Sequence, residues 1–230
     1  MKHLAALICL LAILSCSKER DLTVKGHIEG LKKGTIYLEK QQDSTIVTVD
    51  SVALNGSSDF ILYSDIDTPE AFYLSLDKNN QSKPDEKIVF FADKGITEIN
   101  STLKNFMVDA KINGSEQQKL YEDYLKVITR YKDKNLELIK EEFEAKKAGD
   151  SALIEKNIQD WEKLLKSKYL FTVNFAINNK DSEVAPYVTL TEIYDAQTKW
   201  LDTIYQSLTP KVQASKYGKM LEKHIADNKE

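Results

Sequence analysis

One change of period constrains the fold of this chain more than any other feature. Before Asn113-Gly114-Ser115, short apolar runs alternate with polar residues between turn signals; after it, apolar residues recur every three or four positions. Strands and helices are therefore segregated along the chain, as in an α+β protein, not interleaved as in β–α–β units. Six of the eight glycines, Gly26, Gly30, Gly34, Gly56, Gly95 and Gly114, fall on the first side of the switch.

In residues 22–114 the apolar runs are Leu22 and Val24, Ile36 and Leu38, 46–52, Phe60 and Leu62, Phe72 and Leu74, 88–91, Ile96 and Ile99, and 106–110. They predict eight or nine strands, closed as a sandwich or jelly-roll-like barrel. Asn55-Gly56, between runs 48–54 and 59–63, predicts a tight turn with positive φ that joins two strands. With no helix between strands, a parallel sheet is not expected.

After Gly114, Ser115 and Gln118 have the spacing of a capping box, and Leu120, Tyr124, Ile128, Tyr131, Ile139 and Phe143 trace one helical face. Gly149 ends that helix, and Asp150 or Ser151 caps the next, whose face is Ile154, Ile158, Trp161, Leu165, Tyr169 and Val173. So short a break predicts a long antiparallel hairpin. Shorter helices are expected over 182–194, 196–208 and from Pro210 or Ser215 to His224. The expected organisation is a β-sandwich domain over 22–114 and a helical domain over 115–230. Eight of the eleven tyrosines and both tryptophans fall in the helical part. Tyr121, Tyr124 and Tyr131 suit either a groove for a partner or a packing role, sealing the helix pair or lying on the β domain.

Ahead of both parts, Lys2 and His3 precede eleven apolar residues, 4–14, and then Ser15-Cys16. A bilayer-spanning helix needs about 20 apolar residues, so the segment reads as a secretory signal. Its end, Ile13-Leu14-Ser15-Cys16, resembles a bacterial lipobox, which implies cleavage before Cys16 and acylation of its thiol and amine. Residues 1–15 would be the signal peptide, 16–21 a charged tether, and the mature chain 215 residues long. Ser17 stands where Asp would direct inner-membrane retention in the enteric pattern, so the resemblance favours an outer-membrane lipoprotein. With Cys9 removed and Cys16 lipidated, no thiol pair is left.

The β part resembles a Bacteroidetes envelope lipoprotein family, domain of unknown function 4369, through Gly26-His27-Ile28-Glu29-Gly30, Gly34-Thr35-Ile36-Tyr37-Leu38, Val49-Asp50-Ser51-Val52, Phe72-Tyr73-Leu74, Val89-Phe90-Phe91 and Ile112-Asn113-Gly114-Ser115. The resemblance implies a fold and carries no catalytic residues. In that family the β domain and a helical segment often precede a thioredoxin-like domain. Ser182-Glu183-Val184-Ala185 and Ser215-Lys216-Tyr217-Gly218 look like that segment, but this sequence ends at Glu230 without a C-x-x-C pair. Direct disulfide exchange is therefore not expected.

Other chemistry finds little support. The formal charge of −4 offers no basic excess for nucleic acid. His27 and His224 lack the spacing of zinc ligands, and no G-x-S-x-G is present. Asp65, Asp67 and Glu70 form an oxygen-rich cluster without the glycine and distal Glu of an EF-hand, so turn chemistry is preferred to Ca²⁺. Glu137, Glu141, Glu142 and Glu144, interleaved with Lys140, Lys146 and Lys147, read as a solvated, paired helix face. No catalytic, cofactor or metal residue is predicted; Cys16 is the one assigned site, for lipid. The expected function is a non-catalytic, membrane-anchored module that binds an envelope protein or glycan. The alternatives are an accessory of a thioredoxin-like redox system and, third, a carboxylate-dependent hydrolase.

Overall fold

The computed structural model describes residues 20–43, 45–77 and 86–228, so His3, Cys9, the lipobox and Cys16 lie outside the described residues. Eight strands come first: β1 Leu22–Glu29, β2 Lys33–Gln42, β3 Thr45–Asn55, β4 Asp59–Ser64, β5 Glu70–Asp77, β6 Lys87–Ala92, β7 Gly95–Thr102 and β8 Lys111–Asn113. They form two four-stranded sheets, ordered β4-β1-β7-β8 and β3-β2-β5-β6. Alternation drives the pairing: Leu22, Val24, Phe60, Leu62 and Ile99 of the first sheet meet Ile36, Leu38, Phe72, Leu74 and Phe90 of the second in one buried core.

Three details differ from the sequence expectation. β3 and β4 do not pair with each other; each is the edge of a different sheet, so Asn55-Gly56 turns a corner of the sandwich. Gly56 has φ 96°, as the turn requires, and its N–H donates to the Lys32 carbonyl at 2.7 Å. β1 and β7 pair in parallel along their whole length. No crossover helix is needed, because the chain returns to β1's sheet after passing through the other one. The run 106–110 is a turn, not a strand: Ser101 Oγ donates to the Phe106 carbonyl and Thr102 Oγ1 to Asp109, while the Phe106 ring plugs the core.

Gly26, at the centre of β1, explains the close β1–β7 approach. A Cβ there would lie 1.7 Å from the Ile99 carbonyl oxygen, so only glycine fits.

The helices are α1 Glu116–Ala148, α2 Ser151–Asn178, α3 Val184–Glu192, α4 Thr198–Ser207, α5 Pro210–Gln213 and α6 Lys216–Asp227. Ser115 caps α1 by accepting from Gln118 N, but the second half of the capping box is diverted. Gln118 Oε1 instead accepts the Phe91 N–H at 2.7 Å, covering the open edge of β6. Gly149 ends α1 in the left-handed region, and Asp150 caps α2.

The helices pack on the outer face of the second sheet. Ala71 and Phe91, facing away from the sandwich core, are buried by Tyr121, Tyr187 and Tyr217. Those three rings lie 5.4–6.1 Å from Phe91, centre to centre. This second contact makes β5 buried along almost its whole length, on both faces. Of the roles open to the tyrosine cluster, Tyr121 and Tyr124 take packing ones: Tyr121 packs on Phe91 of the β domain, and the Tyr124 hydroxyl bonds Thr172 of α2 at 2.8 Å, within the helix pair.

Candidate functional site

A concave apolar site forms where α2 meets the α3–α4 turn. Leu165, Tyr169, Leu170 and Val173 from α2 face Ala196 and Trp200 across a cavity of about 480 Å³. That volume lies in the range of small-ligand or side-chain pockets. Its residues are placed by helical spacing, since 165, 169 and 173 are successive turns of one face. Trp200, in the first turn of α4, closes the far wall and remains 40% exposed.

Polar groups sit at the rim. Tyr169 donates its hydroxyl to Asp195 Oδ1 at 2.6 Å, and burial, helped by that carboxylate, pushes the Tyr169 hydroxyl up to about 12. It therefore stays protonated at neutral pH and works as a fixed hydrogen-bonding group. Glu162 and Lys166 stand on the α2 side, one turn apart. Such a set can hold an apolar or aromatic group and orient it through rim polar contacts.

The carboxylates singled out from sequence are not brought together. Asp65 pairs with Arg20 at 2.8 Å. Glu70, buried at the start of β5, takes Lys40 Nζ at 2.9 Å and Lys216 Nζ. Asp67 is exposed. Among the described residues no three His, Cys, Asp or Glu side chains form a set that could hold a metal. The acidic stretch of α1 is a solvated face: Lys134 pairs with Glu137, and Lys146 with Glu142. His27 Nδ1 lies 2.7 Å from Asp59 on the outer face of the first sheet. The His224 ring reaches the Tyr194 carbonyl at 2.6 Å, which ties α6 to the α3–α4 turn beside the cavity.

A fully buried carboxyl escaped the sequence reading. Glu183, at the N-terminus of α3, is fully buried; it accepts Gln117 Nε2 at 3.0 Å and lies 3.8 Å from Lys211 Nζ. Burial raises its carboxyl above the ordinary range. Its neighbour Ser182 donates to the other end of Gln117 at 2.5 Å, so the Ser182-Glu183 pair grips the first turn of α1. No local pattern marks Glu183 as buried, because its cover comes from α1 and α5.

The cavity also escaped the sequence reading. Trp161, Leu165, Tyr169 and Val173 read there as part of one continuous helical face, without a cavity. Contacts between α1 and α2 run through other positions of α2: Asn157 Nδ2 donates to the Leu138 carbonyl at 3.0 Å, the Tyr131 hydroxyl lies 3.0 Å from Ser167 Oγ, and Tyr124 bonds Thr172 and packs on Phe171 and Phe175. An apolar stripe wider than one partner helix was the available signal.

Compared with known families, residues 22–121 match the model described as Domain of unknown function (DUF4369). The match runs beyond the last strand and takes in Ser115, Gln118 and Tyr121, the residues that start α1 and dock it on β6. No curated protein matches the chain.

Proposed function

We propose that this chain, with its DUF4369 domain over residues 22–121, is a non-catalytic lipoprotein of the bacterial outer membrane. It is held by acyl chains on Cys16 and works as a binding or assembly module. The observation that carries the binding role is the apolar cavity of about 480 Å³ between α2 and α4, with the Tyr169–Asp195 pair at its rim. The anchoring role rests on the lipobox-like Ile13-Leu14-Ser15-Cys16. Among the described residues no helix is long and apolar enough to cross a membrane. Two or more acyl chains hold a protein on a bilayer durably, at about 0.8 kcal/mol per buried CH₂. The ligand is an apolar or aromatic group of an envelope protein or glycan, seated on Trp200.

Two measurements test the two parts. Cys16→Ser should move the protein from the membrane fraction to the soluble or precursor pool; unchanged fractionation and processing would overturn the anchor. A photoreactive residue at Gln197, on the cavity lining beside an intact Trp200, should give a discrete adduct in intact cells that disappears with Leu170→Asp. Labelling at position 197 no stronger than at Lys134, on the solvated face of α1, would overturn the binding role.

A further inference from the structure

The outer face of the first sheet lies on the side of the sandwich away from the helices, and its side chains form rows across β4, β1 and β7. Tyr63, Thr23 and Ile96 make the row nearest the start of β1, Ile61, Lys25 and Glu98 the next, and Asp59, His27 and Asn100 the third. Tyr63, Ile96 and Ile61 are 45%, 63% and 52% exposed. Alternate residues of a strand share a face, so this surface is apolar where β1 begins and polar where it ends.

The apolar rows stand beside the point at which the chain enters the fold. Thr23 is seven positions after Cys16. A fully extended chain covers at most about 3.5 Å per residue, so an acylated Cys16 holds the first row within about 25 Å of the bilayer. The third row lies about 13 Å further along β1. The turn at Met107 and Val108 is at the far end, where the Leu103 N–H donates to the Glu29 carbonyl at 2.9 Å.

Carboxylates outnumber cations around the apolar rows. Asp65 takes Arg20, Asp21 takes Lys94, and Glu98 stands level with Lys25. Asp50 accepts the N–H groups of Ser51 and Tyr63, and Asp67 and Asp93 add two more carboxylates. Attraction to anionic headgroups therefore contributes nothing. The anchor supplies the proximity, and three apolar side chains, too few to hold a free chain on a bilayer, need only orient one already held there.

We propose that the Tyr63–Ile96–Ile61 face is a second membrane contact, resting on the lipid interface of the bilayer that holds Cys16. This rests on the acylation of Cys16 proposed above. Tyrosine suits the site, with an apolar ring for the acyl boundary and a hydroxyl for the headgroups. A second copy of the chain fits less well, because the three side chains expose about 300 Å², against about 800 Å² per partner in a stable interface. With this face on the lipid, the helical layer and its cavity are turned away from the bilayer, open to a partner.

The mature chain has no cysteine besides Cys16, so Ile96→Cys, Val108→Cys and Lys134→Cys each add one site for a bimane label on the acylated protein. In phosphatidylethanolamine–phosphatidylglycerol vesicles carrying a nitroxide lipid, bimane at 96 should be quenched and shifted to the blue, and bimane at 108 and 134 should not. Tyr63→Asp should abolish the quenching at 96 while the protein stays in the membrane pellet with its unfolding midpoint unchanged; Tyr63→Trp should retain it. Quenching at 96 no stronger than at 108 or 134, or indifferent to Tyr63→Asp, in a protein that remains membrane-bound would overturn the inference and leave the anchor standing. A blue shift at 96 in the lipid-free Cys16→Ser chain would also overturn it, giving the face to a second copy. Failure of the anchor is read separately, from fractionation of Cys16→Ser, and takes the inference with it.

Discussion

The hydroxyl of Tyr217 accepts the backbone N–H of Ala71 at 3.0 Å, across 146 positions of chain. Pairing of β2 with β5 stops at Lys40 and Phe72, and the next rung would join Gln41 and Ala71. Side chains from the start of α6 take its place, with Lys216 Nζ donating to the Gln41 carbonyl at 2.6 Å while Tyr217 takes the Ala71 N–H. Lys216 also reaches Glu70, whose other partner is Lys40. The last helix thereby completes the ladder of the second sheet and ties the end of the chain to the sandwich.

Tyr217→Phe keeps the ring against Phe91 and Tyr187 but leaves a buried N–H without an acceptor. An unsatisfied buried donor costs about 1–3 kcal/mol, and the urea midpoint should fall accordingly. A variant as stable as the parent would show that water reaches Ala71 and replaces the hydroxyl.

Gly26→Ala should cost more. The added methyl meets the Ile99 carbonyl oxygen at 1.7 Å and the Phe60 ring at 3.0 Å, so β1 must separate from β7. A loss of about 3 kcal/mol or more is expected, at the upper end for single substitutions. Thermal melts of the variant beside Gly56→Ala, whose added methyl meets nothing within 4 Å but sits on a backbone at φ 96°, separate crowding from backbone strain. Equal losses at the two positions would contradict the packing account.

Glu183 makes a prediction in pH. Its carboxyl titrates above the ordinary value of 4.5 in the fold, because burial disfavours the charge. In the unfolded chain it titrates at the ordinary value, so between the two values the native state binds more protons. Stability from this group is complete below 4.5 and is lost as pH rises through the folded value. Glu183→Gln should therefore gain on the parent from pH 4 to pH 7 in chemical denaturation. A difference that stays constant over that interval would mean that Lys211 and Gln117 fully compensate the buried charge.

The sandwich, the long hairpin and the switch at Ser115 were legible locally, because each rests on a period, a cap or a turn carried by neighbouring residues. Leu22, Val24 and Ile36 announce inner-face positions by alternation, and Gly149-Asp150 announces the end of one helix and the start of the next. The run 106–110 misled for the same reason: its composition is that of a strand, and only the hold of Ser101 and Thr102 on the turn shows otherwise.

What the sequence alone determined is most of the elements, their order and which face of each strand is apolar. Tertiary structure alone decided how those faces are shared. Gln118 satisfies the β6 edge instead of its own cap, β5 is buried twice, Glu183 is enclosed by residues from α1 and α5, and the α2 stripe is divided between the cavity and an open hairpin face. Local preferences act over a few residues, whereas burial depends on which distant surface arrives, and that information resides in no single stretch of the chain.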